Sequence, residues 1–206
     1  MIEELIIRTL CDTLPSKPAD AVFLFGQTED NQQSVFGTSV DLYRNRKVNK
    51  LLFLQTEAMS GYPGFEVWKK ELVRLEVGEA IEPVLLSRER EQLNTRIEAE
   101  AMVLHAREKE YQQIVVTASP FQQPRAFMAA VTAALEFYPS LKLYSSPGKV
   151  LDWNEEVKHS QGKVKGTRAG LIPGEMERIQ KYNAKGDLAE VHTVLGYLSR
   201  REAGKL

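Results

Sequence analysis

Residues 21–26 read Ala21-Val22-Phe23-Leu24-Phe25-Gly26. The apolar run is too short for a buried helix, and valine and phenylalanine favour extended backbone. Apolar residues without alternation predict a strand buried on both faces, as in a parallel sheet. Leu51-Leu52-Phe53-Leu54 repeats the pattern and ends in Gln55-Thr56. Val84-Leu85-Leu86 ends in Ser87, Ile114-Val115-Val116 ends in Thr117, and Leu141-Lys142-Leu143-Tyr144 is a weaker fifth run. Helical stripes lie between them: Val40 and Leu42-Tyr43 in 33–45, Phe65, Trp68, Leu72 and Leu75 in 65–77, Ile97, Ala101 and Leu104 in 95–110, and Phe127, Val131 and Leu135 in 121–138. Trp68 reads as a packing anchor. Strand–helix alternation with right-handed crossovers predicts an α/β fold, a three-layer αβα Rossmann-like sandwich around a mostly parallel sheet of about five strands.

The remaining segments are appendages to that core. Ile2, Leu5, Ile6, Thr9 and Leu10 share one side at helical spacing, so the amino terminus is expected to be an amphipathic helix docked on the core. We divide the chain into a Rossmann-like domain, 1–144, and a connecting loop with a C-terminal helical hairpin, 145–206. Lys158, Lys163, Lys165 and Arg168, spaced by glycines, make 145–172 read as a solvated connection. Pro173 is then expected to start a helix that stops at Gly186. Asp187 and Glu190 have the spacing of a capping box for a last helix with the stripe Leu188, Val191, Leu195 and Leu198. Such stripes must be buried on the parent domain or in a homodimer formed through the C-terminal helices.

Composition excludes several classes. The chain has 206 residues, 43% hydrophobic and 27% charged, with a net charge of −1. That balance argues against nucleic acid as a partner. Cys11 stands alone and there are three histidines, so we expect neither a disulfide nor a metal site. No apolar run approaches the ~20 residues of a membrane span, and the acidic Glu3-Glu4 start is unlike a basic signal peptide. A cytoplasmic location is the expectation.

Ligands of an open parallel sheet sit beyond the carboxyl ends of its strands. This places Gly26, Gln27, Thr28, Glu29 and Asp30 at the site, with Gln55, Thr56 and Glu57, then Ser87, Asn94 and Thr95, then Thr117, Ala118, Ser119 and Pro120. One glycine after the first strand is neither a dinucleotide fingerprint nor a phosphate-cradling loop. Thr95 with Glu98, and Ser119 with Gln122 and Pro120, have capping-box spacing. A capped helix start facing the crevice also binds anions, and Arg125 is close enough in sequence to help. His105 is expected to face solvent. His159 and His192 have no ligand spacing, and no nucleophile elbow is present.

The order of these pieces resembles the YdcF/SanA/ElyC-like domain family. The matching stretches are Asp20 to Gly26, Asp41-Leu42-Tyr43, Lys50 to Leu54, Glu66, Asn94-Thr95 with Ala99, and Val116-Thr117 through Ser119-Pro120-Phe121 to Pro124-Arg125-Ala126-Phe127-Met128. The resemblance covers a little over half the chain. It implies a Rossmann-like domain with a pocket over the sheet, bacterial envelope roles for some relatives, and Gly26, Glu66, Asn94, Thr95, Ser119 and Arg125 as pocket residues. The chain departs from the family at Gln122, where a histidine is common, at Val35, in place of an arginine, and at Gln55-Thr56-Glu57, in place of Ser-Gly-Gly. Losing that histidine removes the best acid–base group near neutral pH.

The resulting expectation is a small anionic ligand of nucleotide or adenosyl type, such as S-adenosylmethionine. Gly26, Gln27, Thr28, Gln55, Thr56, Asn94, Thr95, Thr117, Ser119, Gln122 and Arg125 would bind it, and Glu29, Asp30, Glu57 and Glu66 are the catalytic candidates. Group transfer or hydrolysis is one reading. A catalytically inactive binding or scaffold module is the other.

Overall fold

The computed structural model describes residues 1–88, 91–159 and 164–206. Lys163, counted above in the basic connection, lies outside them. The central sheet contains β1 (Ala19–Leu24), β2 (Val48–Leu54), β3 (Ile81–Val84), β4 (Gln113–Thr117) and β5 (Lys142–Ser145). They are ordered β3-β2-β1-β4-β5 and all neighbours are parallel. Phe23 faces Leu52 on one side and Val116 on the other, so the run that predicted a doubly buried strand is the middle of the sheet.

The connecting helices are α2 (Gln32–Arg44), α3 (Phe65–Arg74), α4 (Thr95–Glu108) and α5 (Gln123–Phe137). Going from β1 to β3 the chain steps outward one way, and from β3 it returns past β1 to β4. With right-handed crossovers, α2 and α3 cover one face and α4 and α5 the other. The reversal opens a crevice between the carboxyl ends of β1 and β4. Helix α1 (Ile2–Leu10) docks through Leu5 and Thr9, as its stripe predicts.

The carboxyl-terminal quarter departs from the expected loop and helices. The described residues of 145–172 are more than a solvated connection. Ser146-Pro147-Gly148-Lys149 crosses the end of β4 and lies over α2: Gly148 N–H donates to the Ala118 carbonyl, and the Ser34 and Thr38 hydroxyls donate to the carbonyls of Lys149 and Pro147. A Cβ on Gly148 would stand 2.3 Å from Ser34 Oγ, so only glycine permits this approach. The chain then forms an antiparallel hairpin, β6 (Glu156–His159) and β7 (Val164–Thr167). Lys158 and Lys165 are solvated as expected, but Arg168 is 3% exposed. Its guanidinium binds Asn31 Oδ1, the carbonyls of Asp30 and Asp152, and Glu155. The basic run thus contains the pin that fastens the hairpin to the loop after β1.

Helix α6 (Arg168–Ala184) begins before Pro173, because Thr167 Oγ1 caps it by accepting the Gly170 N–H. Pro173 sits within the helix, where its missing N–H costs one bond to Ala169. Gly186, at φ +78°, ends this segment as predicted. The Asp187–Glu190 capping box does not form: Glu190 is the N-cap of α7 (Val191–Glu202), without a side-chain cap, and Asp187 lies in the preceding turn. Leu188, Val194, Tyr197 and Leu198 join the main apolar core of the same chain. Of the expected stripe, Leu188 and Leu198 are buried, and Val191 and Leu195 are partly buried against the same core. Arg201, 6% exposed, pairs with Asp12 and tethers α7 to the end of α1, while the Tyr197 hydroxyl donates to the Leu141 carbonyl and accepts the Leu143 N–H. No helix among the described residues is long and apolar enough to cross a membrane.

Candidate functional site

A cavity of about 580 Å³ opens at the crevice between β1 and β4. Its floor is Gly26, Gln27 and Thr28 after β1, and one wall is the start of α4. Asn94, not Thr95, is the N-cap of α4: its Oδ1 accepts the Ile97 N–H at 3.0 Å. Such a cap contributes ~1 kcal/mol. The Thr95–Glu98 capping box does not form. Thr95 is free to accept from Arg125 Nη1 at 2.5 Å, and Glu98 turns inward.

Glu98 Oε2 accepts the Gly26 N–H at 2.6 Å. A Cβ at residue 26 would meet that oxygen at 3.1 Å, tighter than an ordinary contact, so the glycine makes room for the carboxyl group. Burial pushes Glu98 up to about 7, with the Gly26 N–H and Arg125 only partly opposing it. Its ionisation therefore opposes folding. Between the ordinary glutamate range of ~4.3 and about pH 7 the native state holds a proton that the unfolded chain has lost, so stability falls as pH rises through this window. Glu98→Gln keeps an acceptor for Gly26 and removes the charge. Denaturant unfolding at about pH 8 should show the variant more stable by on the order of 2–3 kcal/mol, the gap closing near pH 4. A gap that does not vary with pH would contradict the buried-carboxyl assignment.

The opposite wall comes from the carboxyl-terminal extension. Arg125 Nε donates to Glu175 Oε2 at 2.6 Å, while His159 Nε2 lies 2.7 Å and Arg178 Nη1 2.6 Å from Glu175 Oε1. Burial would raise the Glu175 carboxyl, but the Arg125 charge and the hydrogen bonds from His159 and Arg125 outweigh it and hold the group well below the usual carboxylate range. His159 packs edge-on against Phe121, ring centroids 5.2 Å apart. Two arginines and an imidazole of the cavity wall thus share one carboxylate buried behind them.

Of the predicted binding residues, Gly26, Gln27, Thr28, Asn94, Thr95, Gln122 and Arg125 line the cavity. Gln55, Thr56, Thr117 and Ser119 do not. Gln55 is exposed and its N–H pairs with the Val84 carbonyl, prolonging the sheet. Thr56 Oγ1 and Thr117 Oγ1 are buried without a hydrogen-bond partner. Ser119 is one layer down, donating to Gln27 Oε1 at 2.7 Å, and Gln27 Nε2 donates to Gln122 Oε1 at 2.9 Å. The Ser119–Gln122 capping box is also absent: Gln122 is itself the N-cap of α5, and Pro124, not Pro120, occupies its first turn.

None of the catalytic candidates Glu29, Asp30, Glu57 and Glu66 lines the cavity. Glu29, Glu57 and Glu66 are exposed, and Asp30 Oδ2 accepts the Lys158 N–H to anchor the hairpin. His105 does not face solvent; it is half-buried, 2.7 Å from Glu82 Oε1, in the last turn of α4, away from the cavity at its start. Among the described residues no cluster of histidine, cysteine, aspartate and glutamate has metal-binding geometry.

Sequence reasoning missed Glu98, His159, Glu175 and Arg178. Glu98 carried a signal, a carboxylate one turn into a helix that starts at the crevice, but the capping-box spacing masked it. His159 and Glu175 meet only because the hairpin folds back. No family model, no curated protein and no solved structure matches the chain.

Proposed function

We propose that the chain is a YdcF-like protein that binds a small anionic molecule of nucleotide or adenosyl type at the carboxyl ends of β1 and β4. A nucleotide meets that chemistry through its phosphates and S-adenosylmethionine only through its carboxylate, and a cytoplasmic setting belongs to the same proposal. The observation that carries it is that Arg125 and Arg178, both in the wall of the 580 Å³ cavity, converge on the single carboxylate of Glu175 buried behind them. Small-molecule sites span ~300–1,000 Å³, and this lining sets the guanidinium groups of Arg96, Arg125 and Arg178 against two carboxyl groups, Asp187 and Glu98, of which burial holds Glu98 up to about 7. The start of α4 adds its first-turn N–H groups and the positive end of the helix dipole. Group transfer or hydrolysis suits such a site.

Thermal unfolding in the presence of AMP, ATP, S-adenosylmethionine and sugar phosphates tests this. A ligand at ~100 times its Kd adds ~2.7 kcal/mol to the native state and raises the melting temperature accordingly. Arg178→Ala should weaken that ligand's binding at least ~10-fold, the scale of one charge-assisted hydrogen bond. No stabilisation by any of these compounds at millimolar concentration would contradict the proposal. Arg125 is already engaged by Glu175 and Thr95, which favours a second reading, a binding module without turnover. A stabilising ligand recovered chemically unchanged after long incubation would select it.

A further inference from the structure

Two side chains that line the cavity each have one polar atom tied and one left over. Glu98 enters from α4 with Oε2 on the Gly26 N–H, and its Oε1 has no hydrogen-bond partner among the described residues. His159 enters from β6 with Nε2 on Glu175, and its Nδ1 likewise has none. Glu98 and His159 both line the cavity, and the cavity is where we place the leftover atom of each. The Glu175 carboxylate only accepts, so Nε2 carries the hydrogen, and in the neutral form of the ring this tautomer leaves the lone pair on Nδ1. Phe121 and Glu175 together fix the ring.

We propose that Glu98 and His159 are a general acid and a general base for hydrolysis of a phosphate ester held in this cavity. The proposal rests on the anion-binding reading above and adds a reaction to it. The phosphate oxygens belong at Arg178, Arg125 and the start of α4. His159 Nδ1 takes a proton from water as the water oxygen bonds to phosphorus. The bond from phosphorus to the leaving oxygen breaks with its electron pair on that oxygen, and Glu98 Oε1 protonates it. A monoester gives an alcohol and inorganic phosphate, and a diester gives an alcohol and a monoester. The proton on His159 then returns through water to the Glu98 carboxylate, which restores both groups. A carboxyl group held up to about 7 still carries its proton near neutral pH, as an acid requires. The ionisable groups facing Glu98 are Arg125 and Tyr62, and those facing His159 are Glu175, Arg125 and Arg178.

The test uses the full chain with p-nitrophenyl phosphate, bis(p-nitrophenyl) phosphate, and the phenyl counterpart of each, from about pH 5 to about pH 9. One of the two series should turn over, which names the substrate as a monoester or a diester, and its rate should fall above about pH 7 as Glu98 ionises. His159→Asn should lose ~10²–10⁴-fold on both leaving groups. Glu98→Gln should lose as much on the phenyl ester but less than ~10-fold on the nitrophenyl ester, whose leaving oxygen needs no proton. His192→Asn, exposed on α7, should leave the rate unchanged. Inorganic phosphate, followed by thermal shift, shows that each variant is folded and binds anions. If phosphate stabilises the protein but no ester is cleaved, or if Glu98→Gln and His159→Asn cleave at the parent rate, the acid–base pair is wrong and anion binding stands. If phosphate neither stabilises the protein nor any ester is cleaved, both readings fall.

Discussion

Glu175→Ala should lose about 3–5 kcal/mol at neutral pH, the range for breaking a buried ion pair from one side. The Glu175 side chain is 0% exposed, and the partners it leaves behind, Arg125, His159 and Arg178, are 10%, 8% and 21% exposed. Removing the carboxylate strands a guanidinium that also has to satisfy Thr95, and leaves the imidazole without its acceptor. Domains of this size are stable by only ~5–15 kcal/mol, so the variant should unfold at much lower denaturant concentration. The acid dependence fixes the cause. A carboxyl group held below its ordinary range contributes stability that is complete above ~pH 4.3 and is lost as pH falls toward its native value. The difference between parent and variant should therefore shrink on acidification below ~pH 4.3. A loss under ~1 kcal/mol at neutral pH would mean that the cluster is hydrated and the extension is not held through it.

Trp68→Ala should cost a comparable ~3–5 kcal/mol through the cavity left behind. Trp68 is 0% exposed, and its ring lies 5.0 Å from Phe36, 5.7 Å from Phe53 and 4.8 Å from Tyr62 between centroids. These partners come from α2, β2 and the loop before α3, so the indole joins the outer layer to the sheet. Its Nε1 is buried with no hydrogen-bond partner, so part of what the ring contributes is already offset by a desolvated donor. Trp68→Phe removes that donor and most of the volume stays, so it should cost ~1 kcal/mol or less. The effect reaches the ligand site, because Tyr62 packs on Trp68 and also lines the cavity. Equal losses for alanine and phenylalanine, measured by urea unfolding, would contradict the packing role.

Local signals carried the core of the fold and failed where distant segments meet. Ala21 to Phe25 pointed to a doubly buried strand because burial on both faces leaves no polar alternation, and Trp68 stood out as an anchor within an apolar stripe. The strand order around β1 was not legible, because it depends on which distant runs pair, and crossover handedness fixes only the face each helix covers. Capping was misassigned at three helix starts for one reason. Thr95, Ser119 and Asp187 each have the spacing of a capping box, but the spacing is silent about which neighbour the side chain meets in three dimensions. Asn94 outcompetes Thr95 for the helix end, Ser119 is drawn to Gln27, and Glu190 rather than Asp187 precedes the first turn of α7. Arg168 looked like one charge in a solvated run, because its acceptors, the Asp30 carbonyl and Asn31 Oδ1, lie more than a hundred residues away.

The candidate site shows the same division. Residues directly after β1 and at the start of α4 were readable from the rule that ligands sit at strand ends. The loop after β2 was not, since Gln55 continues the sheet and the Thr56 hydroxyl is buried. The missing histidine at Gln122 was a real absence in the sequence, but the fold brings another imidazole, His159, into the same cavity from the extension.

The central claim is that the crevice between β1 and β4 takes a small anion. Amide chemical shifts followed during titration with AMP test it most directly. The account predicts saturable shifts concentrated at Gly26, Gln27, Thr28, Thr95, Arg96 and Ile97. No movement at millimolar AMP, or movement confined to other parts of the chain, would contradict it.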